Sequence, residues 1–199
     1  MNFRSFFPLA NILTFSRLIL TVPFIYFFQI KMILLAGIIF GIASFTDYLD
    51  GIVARKQGVT SFGSFMDSVV DKILIGAALI SIYLYQHELL VENNTLIPIW
   101  MVIIIMGREV LITVFRTIVV AKHGEVISAN RWGKYKTTSQ VIVISITFLL
   151  LWLMPNSPFV IHQYGPIFFL MLIPLVLTVV SGLEIIIGNS KTLTEKHSE

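Results

Sequence analysis

Apolar residues fill six long runs of the chain, and short polar segments separate each run from the next. A helix that crosses a bilayer needs about 20 mostly apolar residues, and each run reaches or approaches that length. The runs cover residues 12–30, 32–53, 65–85, 96–120, 137–154 and 166–187. The pattern therefore predicts an all-α integral membrane bundle of six transmembrane helices.

Composition supports a membrane protein. Of the 199 residues, 56% are hydrophobic and only 13% are charged, which is about half the charged share of a soluble domain. The chain has no cysteine, which excludes disulfides, a thiol nucleophile and thiolate metal sites. We predict a single membrane domain over residues 1–190, followed by a loose polar tail over residues 191–199.

The N-terminal segment MNFRSFFP has the pattern of a short amphipathic helix that lies in the membrane interface. The residues expected to enter the lipid are Phe3, Phe6 and Phe7. No cleavage pattern of a signal peptide follows them. On the first apolar run, Asn11, Thr14 and Arg17 form one stripe. We interpret them as capping residues and as a cation that extends to the interface.

Lys and Arg residues are distributed unequally between the two sides of this arrangement. The side with both termini carries Arg4, Arg17, Arg55, Lys56, Lys122, Arg131, Lys134, Lys136, Lys191 and Lys196. The opposite side carries Lys31. The positive-inside rule then places both termini, and the connection between the second and third runs, on the cytoplasmic side of a plasma membrane.

Four aspartates lie in the segment DYLDGIVARKQGVTSFGSFMDSVVD, around that connection. Asp47 and Asp50 are three residues apart and Asp67 and Asp71 are four apart, so each pair would share one face of a helix. A carboxylate inside the membrane costs roughly 2.5–3.5 kcal/mol, so four of them need a compensating role. Two facing pairs would form a cage of hard oxygen ligands suited to Mg²⁺ or Mn²⁺. Helix capping would explain one or two of these aspartates, but not two pairs in register.

Small and basic residues accompany the aspartates. Gly51 and Ala54 would let a ligand or another helix approach the backbone closely. Arg55 has a planar guanidinium that suits a phosphate. We predict that Gly58 and Gly63 bracket a tight loop, which turns the second aspartate pair toward the first.

The fourth apolar run contains charged residues. Glu109, Thr113 and Arg116 share one stripe of a helix, with Arg108 at its edge. Such a stripe should face the protein interior or a wet cavity. It is either an internal Arg–Glu pair that holds helices together or an anion pocket, because two arginines exceed the charge of one glutamate.

Further basic residues precede the fifth run, in RWGKYK. Arg131, Lys134 and Lys136 lie on the same side as the aspartates. They would either bind an anionic substrate or interact with anionic lipid head groups.

The aspartate segment resembles the signature of the CDP-alcohol phosphatidyltransferase family, D-x-x-D-G-x-x-A-R followed by G-x-x-x-D-x-x-x-D. Its fixed positions are occupied by Asp47, Asp50, Gly51, Ala54, Arg55, Gly63, Asp67 and Asp71. The segments NILTFSR, GREVLITVFR and HGEVISANRWGKYKTTSQ are similar to those of bacterial phosphatidylglycerophosphate synthases within that family.

The resemblance implies a two-substrate reaction at the membrane surface. Two divalent cations, Mg²⁺ or Mn²⁺, would be held by Asp47, Asp50, Asp67 and Asp71 and would bind the pyrophosphate of CDP-diacylglycerol. In the family the last aspartate, here Asp71, is held to be the general base that deprotonates the acceptor. The residues expected to bind the CDP-lipid are Gly51, Ala54, Arg55 and Gly63.

Glycerol 3-phosphate is the acceptor that the resemblance favours. Its phosphate would bind to Arg108, Arg116, Lys134 and Lys136. Inositol phosphate or phosphatidylglycerol as acceptor would use the same aspartates. A divalent-cation transporter is disfavoured, because the carboxylates are gathered at the cytoplasmic end. Members of the family are commonly homodimers, so we expect a homodimer in contact with membrane lipid and no nucleic-acid partner.

Overall fold

A computed structural model describes most of the chain. Its backbone is described over residues 9–57, 61–89, 96–123, 131–155, 157, 159–162 and 164–195. Side chains are described over residues 14–47, 49, 69–85, 96–115, 132–155, 157, 159–162, 164–185 and 187. The predicted interfacial segment at residues 1–8 lies outside these ranges.

Six α-helices make up the described secondary structure, which contains no strand in those ranges. They are α1 (Leu9–Gln29), α2 (Ile33–Gln57), α3 (Ser61–Leu89), α4 (Ile99–His123), α5 (Arg131–Leu153) and α6 (Pro166–Glu195). The all-α prediction is confirmed, and each predicted apolar run corresponds to one helix.

Several helices extend beyond the apolar runs. Because α2 ends at Gln57 and α3 begins at Ser61, all four aspartates of the segment occupy helical positions. The prediction that Gly63 closes the loop was wrong, since it lies in the first turn of α3. Helix α6 continues to Glu195, so residues 191–195 are helical rather than a loose tail. Polar composition marks where a helix leaves the lipid, but backbone hydrogen bonds can continue past that point.

The turn between α1 and α2 is closed by a residue with positive φ. Lys31 has a φ of 62°. Its N–H donates to the Phe28 carbonyl at 3.0 Å and the Met32 N–H donates to the Phe27 carbonyl at 2.9 Å. This is the Schellman pattern of a helix C-terminus, in which glycine is the favoured residue at the position of Lys31.

We predict that Lys31→Gly stabilises the protein, because glycine adopts this φ without strain. The expected gain in free energy of unfolding is about 0.5–1 kcal/mol. Thermal unfolding of the purified protein in detergent measures it. Lys31→Ala, which removes the same side chain and keeps the strain, is the control and should give no comparable gain.

Aromatic rings join α1, α2 and α5 in the core. The Phe148 ring centroid lies 5.7 Å from that of Phe24, 5.4 Å from that of Phe28 and 5.4 Å from that of Phe40. All four side chains are buried. A Cβ atom at Gly37 would lie 3.3 Å from the Cβ of Phe148, so this glycine lets α2 approach α5 closely. The cluster therefore joins side chains of α1 to those of α2 and α5.

The outer surface of the bundle is apolar, whereas several polar side chains are inside it. Large apolar side chains are exposed on all six helices, among them Val22, Ile42, Leu84, Leu111, Leu149 and Val176. Buried polar side chains include Thr14, Thr21, Thr147 and Thr178. Soluble proteins rarely expose apolar surface on this scale. The distribution therefore favours lipid as the surrounding medium.

Two stretches of the described chain are long and apolar enough to cross a membrane, as judged by length and composition. They are Trp132–Leu153 in α5 and Pro166–Ile185 in α6. A shorter apolar stretch, Ile33–Asp47, leads to the aspartates in α2.

Candidate functional site

The aspartates lie on two helices that both pack against α1. Asp47 and Asp50 are on α2, and Asp67 and Asp71 are on α3. Asp47 and Asp71 are half-buried. Helical spacing of each pair agrees with the sequence prediction.

The structure does not describe every side chain of this predicted centre. The side chains that lie outside the described set are those of Asp50, Gly51, Ala54, Arg55, Gly63 and Asp67. Among the side chains that are described, no group of three or more His, Asp or Glu residues is placed to hold a metal. That set includes only two of the four aspartates, so the metal cage stays a prediction.

Arg17 of α1 contacts the first aspartate directly. Its Nη2 atom lies 2.9 Å from Oδ1 of Asp47, and its side chain is fully buried while that of Asp47 is 32% exposed. The Thr21 hydroxyl donates to the Arg17 carbonyl at 2.9 Å. The interpretation of Arg17 as a cation that extends to the interface was therefore wrong. Arg17 faces the interior of the bundle, where it pairs with Asp47 of α2.

A second charged cluster joins α4, α5 and α6. Glu109 on α4 and Lys136 on α5 are both buried, and the Lys136 ammonium donates a hydrogen bond to Oε1 of Glu109. Arg108 contacts the same oxygen through Nη1 at 3.6 Å. Its Nη2 atom donates to the Ser181 hydroxyl on α6 at 2.8 Å. We call Arg108, Glu109, Lys136 and Ser181 the basic cluster.

Close packing holds Arg108 in this cluster. A Cβ atom at Gly182 would lie 3.1 Å from Nε of Arg108 and 3.3 Å from its Cγ. A larger residue at position 182 would therefore displace the arginine. The glycine allows the guanidinium to lie across α6 and reach Ser181.

Two buried polar atoms lie one helical turn away from the basic cluster. Gln140 is four residues after Lys136 on α5, and Thr178 is three residues before Ser181 on α6. Nε2 of Gln140 and Oγ1 of Thr178 have no hydrogen-bond partner among the described residues. Buried polar groups are nearly always paired with protein, water or ligand. These two atoms are therefore available to a bound polar molecule.

The predicted acceptor residues differ in how the structure places them. Arg108 and Lys136 are brought together through Glu109. Lys134 is exposed, on the other side of α5 from Lys136. The side chain of Arg116 lies outside the described set, although its position is on α4.

Comparison with known protein families agrees with the aspartate signature. The sequence profile of the family described as CDP-alcohol phosphatidyltransferase matches residues 7–180 of the chain. The chain belongs to the CDP-alcohol phosphatidyltransferase family. The match runs from the residues before α1 into α6, so it includes the aspartates and three of the four residues of the basic cluster; Ser181 lies one residue beyond it.

Several named relatives are similar to the chain over most of its length. A CDP-diacylglycerol–glycerol-3-phosphate 3-phosphatidyltransferase of Bacillus subtilis is 42% identical over 161 residues, 80% of this chain and 76% of the relative. A protein of the same name from Haemophilus influenzae is 37% identical over 144 residues, 69% and 74% of the two chains. A probable phosphatidylglycerophosphate synthase of Mycobacterium tuberculosis is 33% identical over 183 residues, 88% and 78%.

Three residues of the candidate site were not assigned to it from the sequence. Glu109 was noted as a charge in an apolar run, but its contact with Lys136 joins residues 27 positions apart. Ser181 is one of many small residues on α6 and carries no sequence signal of its own. Arg17 gave a signal, since it is an arginine within an apolar helix, and intramembrane charges usually face a partner.

Proposed function

We propose that this protein transfers the phosphatidyl group of CDP-diacylglycerol to glycerol 3-phosphate. The products are phosphatidylglycerophosphate and CMP, so the protein is an enzyme of phospholipid biosynthesis. One observation carries this conclusion: the complete aspartate signature occurs on α2 and α3 of a chain whose relatives are named for that reaction.

The donor set on α2 and α3 fits divalent cations. Carboxylate oxygens are the ligands that Mg²⁺ and Mn²⁺ prefer. Asp47 is anchored at one oxygen by Arg17, and about a third of its side chain is exposed. We infer that Asp47, Asp50, Asp67 and Asp71 hold two cations. When bound, the cations would neutralise charge on the pyrophosphate and stabilise CMP as the leaving group.

Asp71 has a further role in this proposal, as the general base. The acceptor hydroxyl must lose its proton as its oxygen attacks the phosphorus of the lipid donor. A carboxylate within hydrogen-bond reach of that hydroxyl can accept the proton. Asp71 is half-buried on α3, at the C-terminal end of the aspartate segment. The new bond joins the acceptor oxygen to phosphorus, and the bond from phosphorus to CMP breaks.

The residues around the aspartates would hold the nucleotide. Gly51 and Ala54 lie on α2 next to Asp50 and leave room for a flat base. Arg55 supplies a guanidinium that suits a phosphate of CDP. Gly63 lies in the first turn of α3, where it would allow close approach of the donor.

The basic cluster would bind the phosphate of the acceptor. Arg108 and Lys136 supply two positive charges and Glu109 one negative charge, so the cluster has one net positive charge when all three are ionised. The unpartnered atoms of Gln140 and Thr178 would be available to the acceptor's hydroxyl groups. Arg116 and Lys134 would add positive charge toward the cytoplasmic ends of α4 and α5.

We also propose that all six helices cross a bacterial plasma membrane, with both termini and the site in the cytoplasm. Apolar side chains exposed on every helix and the unequal distribution of Lys and Arg support this arrangement. A reporter protein that works only in the cytoplasm should be active when it is fused to the C-terminus, and one that works only in the periplasm should be inactive. Activity of a periplasmic reporter would overturn the orientation. The expected homodimer is tested by the mass of the purified protein in detergent.

An acceptor screen tests the substrate assignment. Purified protein in detergent with CDP-diacylglycerol and Mg²⁺ should release CMP rapidly with glycerol 3-phosphate. Release should be at background with inositol phosphate or phosphatidylglycerol. Release that depends on one of those acceptors instead would move the protein to another branch of the same family. Cation flux into proteoliposomes without CMP release would point to a transporter.

A further inference from the structure

Arg17 is the most completely buried charged residue among those described, with a relative exposure of 0%. Its guanidinium pairs with Asp47 on a neighbouring helix at 2.9 Å. Helix α1 packs against both α2 and α3, so Arg17 reaches the aspartate helices from the side. It comes from NILTFSR, a segment that precedes the aspartate signature by 30 residues and contributes no residue to it.

A purely structural salt bridge explains this contact less well than a role at the site does. Burying an ion pair gains little net stability, because desolvation offsets the attraction between the charges. Asp47 is also only partly buried, with 32% of its side chain exposed. The contact therefore anchors one oxygen of a carboxylate whose side chain still reaches the surface of the bundle. Carboxylates that bind metals are commonly oriented by such a hydrogen bond from a neighbouring group.

The position of Arg17 on α1 is itself well defined. The Thr21 hydroxyl, one turn further along the helix, donates to the Arg17 carbonyl at 2.9 Å. Thr14, one turn earlier, is also buried. The aromatic cluster then packs the same helix against α2 through Phe24 and Phe40, whose ring centroids are 5.9 Å apart. These contacts hold α1 in place against α2, and with it the position of the Arg17 guanidinium.

We propose that Arg17 is a positioning residue that orients Asp47 for divalent-cation binding. This inference rests on the proposed function. Arg17 also sets the charge of the site: four carboxylates and one guanidinium carry three negative charges, and two divalent cations convert them to one positive charge. The loaded site would then attract the anionic pyrophosphate of the donor, whereas four carboxylates without Arg17 would be neutral when loaded.

Binding of Mn²⁺ alone tests the proposal without turnover. Free Mn²⁺ is measured by electron paramagnetic resonance as it is added to purified protein in nanodiscs. Arg17→Met takes the empty site from three to four negative charges, which by itself would favour Mn²⁺. Because groups that orient metal ligands typically contribute 10–100-fold to affinity, we expect the loss of orientation to dominate and the Mn²⁺ Kd to rise about tenfold. Arg17→Lys keeps the charge but not the planar fork, and should show a smaller increase. Thr147→Val removes a buried hydroxyl on α5, away from Arg17 and Asp47 in the sequence, and should leave the Kd unchanged.

Two further measurements separate the possible outcomes. Circular dichroism establishes that each variant is folded. If Arg17→Met does not fold, Arg17→Gln is used instead; its amide keeps a polar group in the bundle but is shorter and uncharged, so the Kd should still rise, by less than for a variant with no donor. A folded variant without the guanidinium and with a wild-type Mn²⁺ Kd would overturn the proposal. Wild-type protein that binds Mn²⁺ but transfers no phosphatidyl group would instead overturn the proposed function.

Discussion

We expect Asp71→Asn to abolish turnover while the protein stays folded. The amide keeps the size of the side chain but cannot accept the proton of the acceptor hydroxyl. General-base catalysis typically contributes 10²–10⁴-fold, so we expect kcat to fall by at least about that factor. CMP release at saturating concentrations of both substrates measures the loss. The variant should still bind CDP-diacylglycerol, because three aspartates and Arg55 remain.

The matched control for Asp71→Asn is Glu184→Gln. It makes the same change from carboxylate to amide at an exposed position on α6. It should retain the wild-type kcat. If Asp71→Asn also retained it, Asp71 would not be the base, and another group or the solvent would have to accept the proton.

Lys136→Met is the second change with a large expected effect. It removes the ammonium that donates to Glu109 and leaves a buried carboxylate with the longer contact to Arg108. Removal of one partner of a buried ion pair typically costs 3–5 kcal/mol, so we expect the free energy of unfolding to fall by about that amount. The KM for glycerol 3-phosphate should rise by more than that for CDP-diacylglycerol, since Lys136 belongs to the acceptor half of the site.

A double-mutant cycle measures how strongly Glu109 and Lys136 are coupled in the folded protein. Glu109→Gln combined with Lys136→Met removes both charges, so the double variant should be more stable than the sum of the single losses predicts. Thermal unfolding in detergent gives the stability of each variant. Lys134→Met, on the exposed side of the same helix, should change the free energy of unfolding by less than about 0.5 kcal/mol. Additive losses in the cycle would show that Glu109 and Lys136 are not coupled.

The sequence predicts the helical elements well because a long apolar run is a simple signal. A segment placed in lipid must satisfy its backbone hydrogen bonds within itself, so an apolar run of sufficient length predicts a helix. The rule does not say where a helix ends once it leaves the lipid. Hence the first turn of α3 at Gly63 and the continuation of α6 to Glu195 were missed.

Some features of the candidate site could likewise be predicted from the sequence, and others could not. The aspartates could be predicted because their spacing within one segment reports a helical face. The partners of Arg17 and Lys136 could not, because each pair joins distant parts of the chain. Such contacts depend on which helices pack together, and a single sequence contains no periodicity that reports it. A charged residue in an apolar run predicts that a partner exists, but not which residue it is.

Transfer of the phosphatidyl group from CDP-diacylglycerol to glycerol 3-phosphate is tested most directly by measuring both products of the reaction. Purified protein is given CDP-diacylglycerol, Mg²⁺ and glycerol 3-phosphate labelled in its carbon atoms. We predict that label enters a chloroform-soluble phospholipid, with one CMP released for each labelled molecule. Neither product should form when CDP-diacylglycerol or the cation is omitted. If the folded protein is supplied with both substrates and Mg²⁺ and the label stays in the aqueous phase, the proposed transfer does not occur.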